Sequence, residues 1–489
     1  MSEPMAPSAT ITQQTFVGTA RVFLAESLLL PTGLLTAAYL ARRLGPEAYG
    51  LFTVAAAIIA WIEWSITSLF ARASVKLVAD ARSWQQIGST ILSVYLSASL
   101  AGGLLLAGLA APLADLLNKP ELAGYMRLFA IDIPLFCLAQ AHRNILVGLG
   151  HYTEQAFAAA TRWLTRLVLV VLLVQLGLSI QGAILGYIGA SILELALARF
   201  FVRPELSARA ALEVGRLWGL AAPLLLSSLA LRFYDRLDLV TLTALGGSAR
   251  QAGLYGAAKN LAIFPALLAT SFSPLLLSAL SRAFRDGKNA LADALVRDAM
   301  RAVLLVIPFA ALAAGSASEI VPLVYGRAFG PSGPFLSWLI FAALALLQVS
   351  VATAVLIAAN RPRLTLAVTG PLPLIALAGY LPVIPRWGPE GAAIITFVST
   401  TLGALAAFLA AFWVCQVLPP WRSVFRSSLV SATSYAAAVL WASAGFMLVV
   451  KLVVVSVAIL LAFALLGEFS RAELITLRAL VRRDSSTVL

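Results

Sequence analysis

Charge and reactive side chains are scarce in this chain. Its 489 residues hold 35 Lys and Arg, 22 Asp and Glu, two histidines and two cysteines. Charged residues make up 12% of the chain, whereas a soluble domain of this length needs roughly twice that to cover its surface. The cysteines, Cys137 and Cys415, fall within or at the end of apolar runs; they read as packing residues and support neither a disulfide nor a metal site. His142 and His151 share one short basic stretch, and no phosphate-binding P-loop motif occurs. No catalytic constellation is visible, no cofactor or metal is expected, and ATP hydrolysis is not the energy source. The strict apolar–polar alternation of a barrel strand is also missing.

What remains is hydrophobic length. The chain is 61% hydrophobic with a mean hydropathy of +0.93. Apolar runs of about 20 residues, the length a hydrocarbon core roughly 30 Å thick demands of a helix, repeat from Phe16 to Leu466. Only helices and closed barrels satisfy every backbone group in lipid, so the fold class is an all-α polytopic membrane protein. About fourteen spans are expected, centred near residues 28, 58, 102, 137, 170, 192, 228, 265, 308, 346, 373, 402, 438 and 458. The region 212–245 is long and charged, and 363–386 is broken by Pro371, Pro373, Pro382 and Pro385. The last two spans should meet in a tight hairpin around Val450–Lys451.

The net charge of +13 is distributed as topology rather than as a nucleic-acid surface. With the N-terminus inside, the cytoplasmic segments carry 24 of the 35 Lys and Arg, among them Arg72, Arg143, Arg162, Arg166, Arg361 and Arg363, and the opposite side carries seven. The positive-inside rule therefore puts both termini in the cytoplasm. Residues 1–15 lack a charged n-region and cleavage site, so no signal peptide is expected. Residues 470–483 open with a capping-box spacing, Ser470 to Glu473, and read as a helix lying on the cytoplasmic leaflet. Residues 285–300 read either as a second such helix or as a solvated connector between two halves of the bundle.

The chain also repeats itself. Leu44-Gly45-Pro46-Glu47-Ala48-Tyr49-Gly50-Leu51-Phe52 is echoed by the run from Leu245-Gly246 to Gly253-Leu254-Tyr255, and Gln181-Gly182-Ala183-Ile184 by Glu390-Gly391-Ala392-Ala393-Ile394. The offsets, 203 residues for Gly50 to Gly253 and 209 for Gly182 to Gly391, are nearly equal. Two six-helix lobes follow, related by an axis along the membrane normal because six is even. The organisation expected is a tail (1–14), an N-lobe (15–205), a C-lobe (206–417), an extra helix pair (418–467) and an amphipathic tail (468–489).

The stretches ARRLGPEAYGLF (41–52), DLVTLTALGGSARQAGLYGAAKNLA (238–262), PLVYGRAFGPSGPFL (322–336) and RWGPEGAAIITFVST (386–400) resemble the polysaccharide-transport branch of the MOP superfamily, which also holds MATE drug exporters and lipid II flippases. The resemblance covers about residues 15–417 and is spread over many loops; the last two spans lie outside it. It implies a V-shaped fold with alternating access to a cavity between the lobes. It also implies a flippase, not an enzyme, that moves a polyprenyl-diphosphate-linked oligosaccharide from the cytoplasmic to the outer leaflet of a bacterial inner membrane. The partners implied are that lipid-linked glycan, membrane lipids, and the polymerase and chain-length regulator of the same pathway, with the flippase itself a monomer.

Ionisable residues inside spans are costly and mark function by default. Glu26 precedes Pro31 and Gly33, which should bend the first span. Glu63, flanked by Trp61 and Trp64, is as readable as a headgroup-belt carboxylate as it is as a cavity one. Arg232, Asp235, Arg236 and Asp238 stand at i, i+3 and i+4 spacings, either neutralising one another as a structural cluster or facing a wet cavity. Lys259 has no acidic residue within one turn; it either snorkels or awaits an anion, and the resemblance supplies a diphosphate. Asp132 is a weaker candidate, and Glu194 pairs most simply with Arg199. The substrate-binding set expected is thus Lys259, Arg232, Arg236 and Arg72, and the coupling carboxylates are Glu26, Glu63, Asp132, Asp235 and Asp238. Stretches 27–41 and 50–70 lack Lys and Arg, where lipid II flippases of this resemblance carry arginines, and this argues against lipid II. A MATE-type drug/cation antiporter is the nearest rival reading, and a membrane glycosyltransferase or polymerase a more distant one.

Overall fold

The computed structural model describes residues 24–81, 83–204 and 233–469, and every regular element among them is helical. The reason is the solvent: in hydrocarbon a backbone N–H can be satisfied only within its own helix or a closed sheet. The first helix, α1 (Leu29–Ala79), has 51 residues. At 1.5 Å per residue it would run about 76 Å, more than twice the hydrocarbon thickness. It is therefore two spans meeting at Gly45 (φ 76°, ψ 172°), and Pro46 opens the second, where its missing N–H is no loss. Then come α2 (Trp84–Leu116), α3 (Leu122–Phe129), α4 (Asp132–Gly148) and α5 (Tyr152–Leu173), which passes through a π turn at Val174–Leu178 into α6 (Ser179–Phe201). Residues 233–244 form α7, followed by α8 (Ala249–Leu261), α9 (Phe264–Arg285), α10 (Asn289–Gly315) and α11 (Ala317–Tyr325). After a 3₁₀ turn at Arg327–Ser332 come α12 (Gly333–Ala358), α13 (Pro362–Thr369), α14 (Leu372–Cys415), α15 (Trp421–Leu440) and α16 (Phe446–Leu465).

Seven helices among the described residues are long and apolar enough to cross a membrane, or eight if the pair α10–α11, bent by 68°, counts as one span. Three of these stretches, Leu24–Ala79, Tyr152–Phe201 and Pro362–Cys415, run to 50 residues or more and are broken at Gly45, Gly177 and Gly388, so each supplies two crossings. That is compatible with the fourteen spans expected. Most of the span expected over 212–245 and the tail helix over 470–483 lie outside the described residues.

The chain forms two compact units, Met1–Asn260 with Thr369–Ile395, and Leu261–Val368 with Thr396–Leu489. Within the first, the repeat-related glycines touch. A Cβ on Gly50 would sit 1.8 Å from the Ala249 carbonyl oxygen and 2.7 Å from the Gly253 nitrogen. A Cβ on Gly253 would sit 1.9 Å from the Pro46 carbonyl oxygen and 3.0 Å from the Gly50 nitrogen. Each glycine meets the other and the carbonyl four residues before it, so the contact is reciprocal. The second repeat also has a backbone signature. Ser179 (φ 48°, ψ −129°) and Gly388 (φ 57°, ψ −138°) share one unusual conformation, three residues before Gly182 and Gly391.

The second unit corrects two expectations. The turn between the last two helices lies at Trp441–Gly445, not at Val450–Lys451. Lys451 is fully buried inside α16, where its ammonium donates to Glu319 Oε2 (2.5 Å) and to the carbonyls of Ala438 (2.8 Å) and Trp441 (2.9 Å). Glu319 also accepts from the amide and hydroxyl of Ser443. At the other end of the pair, Glu468 accepts from Arg301 (2.8 Å), Ser423 (2.6 Å) and Arg426 (3.0 Å). Between these clusters Leu312, Val430, Ala438, Val455, Ile459 and Phe463 pack together. Residues 285–300 are not a separate surface helix either: α10 runs unbroken from Asn289 into the span, with Ala292, Val296 and Met300 buried.

Candidate functional site

The first unit holds a chain of charges where hydropathy alone expects none. Helix α5 turns Gln155, Ala159, Arg162, Arg166 and Val170 to one buried face, at the three- and four-residue spacing of a helix stripe. Arg162 reaches Glu194 of α6 (2.8 Å) and the Ser191 hydroxyl (3.3 Å). The other oxygen of Glu194 takes Arg143 of α4 (3.3 Å), and Arg143 in turn grips Glu26 at the start of the first span. Arg143, Arg162 and Arg166 are 7%, 4% and 8% exposed, and Glu194 is 0%. Arg162 lies 4.2 Å from the ring centre of Phe136, while Arg166 stands over both Trp163 (4.7 Å) and Tyr187 (4.9 Å). Tyr187 belongs to a ring cluster with Phe52 and Phe129. Guanidiniums stacked on aromatic faces keep electrostatic partners after losing water, and this is how arginine tolerates such a site.

Two carboxylates complete the cluster. Glu63 and Asp132 are 6% and 1% exposed, and Glu63 Oε1 and Asp132 Oδ1 have no hydrogen-bond partner among the described residues. Electrostatically, Glu63 senses Asp132, Arg162 and Glu194, and Asp132 senses Arg162, Glu194 and Arg166. Among the described residues three guanidiniums thus face four carboxylates, of which Glu63, Asp132 and Glu194 are buried and Glu26 is partly exposed. The flanking Trp61 and Trp64 are exposed, as belt residues are, but Glu63 itself points inward.

Sequence reasoning misplaced much of this cluster. Arg143, Arg162 and Arg166 were counted towards a cytoplasmic basic turn, yet all three are buried in α4 and α5. His142 is buried beside them, bonded to the Leu138 carbonyl (2.8 Å). Glu194 pairs with Arg143 and Arg162 rather than with Arg199, which donates to the Pro204 carbonyl. Long-range partners beat the nearby one because Glu194 faces the interior of the unit. The stripe spacing of Gln155, Arg162 and Arg166 on an otherwise Ala- and Val-rich face was the available signal.

A second group surrounds Lys259, and it corrects the expectation of a lone ammonium. Lys259 of α8 donates to both oxygens of Asp238 on α7 (2.7 and 2.8 Å) and to the Asp235 carbonyl. Asp238 also accepts from the Tyr255 hydroxyl (2.8 Å) and from the Leu239 amide (2.7 Å). The Asp238 side chain is 1% exposed and that of Lys259 20%, so the pair presents its cationic end to the surface. Asn260, one residue on, donates to the Tyr49 hydroxyl (2.9 Å) beside Gly50. Asp235 and Arg236 pair with each other at 3.3 Å on the exposed side of α7, apart from Asp238. Arg232 lies outside the described residues, and of Arg72 only its place in α1 is described. No group of three metal-ligating side chains occurs among the described residues.

The fold and these charges define a class: a multi-pass helical membrane protein with the fold of MOP superfamily proteins. The lipid II flippase MurJ in an inward closed conformation matches with a TM-score of 0.75 at 14% identity, over 92% of this chain and 98% of that one. An inward-facing multidrug resistance MATE transporter matches with a TM-score of 0.64 at 15% identity, over 83% and 96%. A MOP superfamily transporter from Pyrococcus furiosus matches at 0.57 and 14%, over 82% and 95%. At such identities these likenesses concern the fold. The family is given by sequence: residues 39–334 match the family described as polysaccharide biosynthesis protein, and the chain belongs to it. No curated protein matches the chain in sequence.

Proposed function

We propose that this protein is a flippase, not an enzyme, that moves a polyprenyl-diphosphate-linked oligosaccharide from the cytoplasmic to the outer leaflet of a bacterial inner membrane by alternating access. The observation that carries the reading is the match of residues 39–334 to a polysaccharide biosynthesis family on a chain that folds as a MOP transporter. Lys259, one-fifth exposed and held by Asp238, is the cation we assign to the diphosphate, with Arg236, Arg232 and Arg72 as further contacts. The three donors of Lys259 already meet both Asp238 oxygens and the Asp235 carbonyl, so a phosphate oxygen takes the ammonium by displacing one of these acceptors at its exposed end. Glu63 and Asp132, both buried, and Glu26, paired with Arg143, are the carboxylates we assign to coupling, since a carboxylate inside a span is costly unless it serves to take up a proton or a sodium ion. Asp235, exposed on α7, and Asp238 complete that set as cavity carboxylates.

Both termini are cytoplasmic in this reading, the reciprocal Gly50–Gly253 contact lies on the axis relating the two lobes, and the protein acts as a monomer beside the polymerase and chain-length regulator of its pathway. Expression in strains deleted for a lipid-linked oligosaccharide flippase tests it, with surface polysaccharide as the readout and drug susceptibility of an efflux-deficient strain in parallel. Restored polysaccharide without drug resistance is expected. Drug resistance without polysaccharide would overturn the reading in favour of a MATE-type antiporter.

A further inference from the structure

In the second unit the turn between α12 and α13 and the end of α14 enclose an open cleft of about 640 Å³. Its wall carries Arg361 and Arg363, with Asn360 between the helices and Trp413 opposite. Both arginines are exposed, and neither has an ion pair or hydrogen-bond partner from its side chain among the described residues. Trp413 is 78% exposed, an extreme value for an indole, and Leu418 and Trp421 just beyond it are also exposed. Two guanidiniums with no side-chain partner among the described residues are open to an anion, and an exposed indole suits headgroup depth, with an apolar side and a wet one. Phosphate meets the first demand, because the guanidinium fork matches two of its oxygens. Acyl chains at the same place meet the second. A free anion in water would leave Trp413 and its apolar neighbours unexplained.

We infer that this cleft binds the headgroup of an anionic phospholipid, its phosphate held by Arg361 and Arg363 and its glycerol backbone lying against Trp413. The leaflet is the cytoplasmic one in the orientation proposed above, where the positive-inside rule puts both arginines. None of its residues is among the charges assigned to the transported diphosphate. Its volume falls in the range of small-molecule pockets, large enough for a glycerophosphate group with its waters.

The test uses the purified full-length protein in neutral detergent, titrated with phosphatidylglycerol or phosphatidylcholine and followed by native mass spectrometry and by Trp fluorescence. Phosphatidylglycerol should bind in preference to phosphatidylcholine, and Arg361→Gln with Arg363→Gln should weaken that binding by about tenfold or more, since each removes a charged hydrogen bond. Arg361→Lys with Arg363→Lys should retain an intermediate affinity, and Trp413→Ala should lose the fluorescence response while keeping the charge preference. All these side chains are exposed, so the variants should melt within a few degrees of the parent protein. Unchanged phosphatidylglycerol binding in the double glutamine variant would overturn the proposal. Inorganic pyrophosphate that displaces the lipid at equal concentration would overturn it too, by assigning the cleft to free anions.

Discussion

Replacing Lys259 with methionine strands the carboxylate of Asp238. That carboxylate is 1% exposed and is left with the Tyr255 hydroxyl and the Leu239 amide, two donors without charge. Removing one partner of a buried ion pair costs about 3–5 kcal/mol, and the lower end applies here because water already reaches the lysine and two hydrogen bonds remain. A loss of about 3 kcal/mol is thus expected for Lys259→Met. Asp238→Asn should cost less, since the partly exposed ammonium keeps the Asp235 carbonyl and solvent. The double variant, Asp238→Asn with Lys259→Met, removes both charges together and should recover most of the lost stability. The assay pairs thermal melting in detergent with polysaccharide export in a flippase-deficient strain, membrane levels being measured by blot. If the cation contacts the transported diphosphate, the double variant is stable but does not export. Export that returns together with stability would refute the reasoning and reduce Lys259 to a structural partner of Asp238.

Three further outcomes are expected. Gly50→Ala should destabilise by about 1–3 kcal/mol, as overpacking does, because its Cβ would lie 1.8 Å from a backbone oxygen that cannot rotate away; Gly108→Ala, with nothing within 4 Å, should be neutral in the same melting assay. Lys451→Met should cost about 3–5 kcal/mol, and Glu319→Gln added to it should recover part of that, a double-mutant cycle on melting giving the coupling. Glu468 titrates below the usual carboxylate range: burial opposes ionisation, but hydrogen bonds from Ser423, Arg426 and Arg301 outweigh it. Its ionised form therefore contributes stability that is complete above the unfolded value of roughly pH 4 and is lost as pH falls through the lower folded value. Melting between pH 6 and pH 3 should show that loss, and Glu468→Gln should flatten it.

The long apolar runs made the membrane fold legible, and the Gly-Pro steps at Gly45 and Gly388 marked two of the places where a helix restarts. The break at Gly370–Pro371 was likewise readable from its proline, whereas Pro382 and Pro385 sit inside α14 without ending it. The charge cluster was not legible in the same way. Arg143 meets Glu26 across 117 residues and Glu194 across 51, distances at which neither periodicity nor loop counting carries information. The positive-inside rule also treats every arginine near a span end as solvated, so it absorbed Arg143, Arg162 and Arg166 into the topology. Lys259 was recognised as unusual, but its partner Asp238 lies on the preceding helix, 21 residues earlier, and only the return of α8 alongside α7 brings the two together. Ser179 shows a different limit: nothing in its side chain announces the positive φ that its counterpart Gly388 adopts without strain.

The two ionic clusters that hold α15 and α16 bear on the order of assembly. Lipid tails are as apolar as leucine, so the face formed by Val430, Val455, Ile459 and Phe463 gains nothing by leaving hydrocarbon for protein. Alone in lipid, the last hairpin offers Lys451 the Ala438 and Trp441 carbonyls but no counter-charge. Its insertion must therefore follow that of the segment bearing Glu319, with the two charges meeting as the hairpin enters. A nascent chain halted before Trp421 would lack Lys451 and Glu468, the counter-charges of Glu319 and Arg301. Membrane insertion of the hairpin thus becomes the step that pairs these charges.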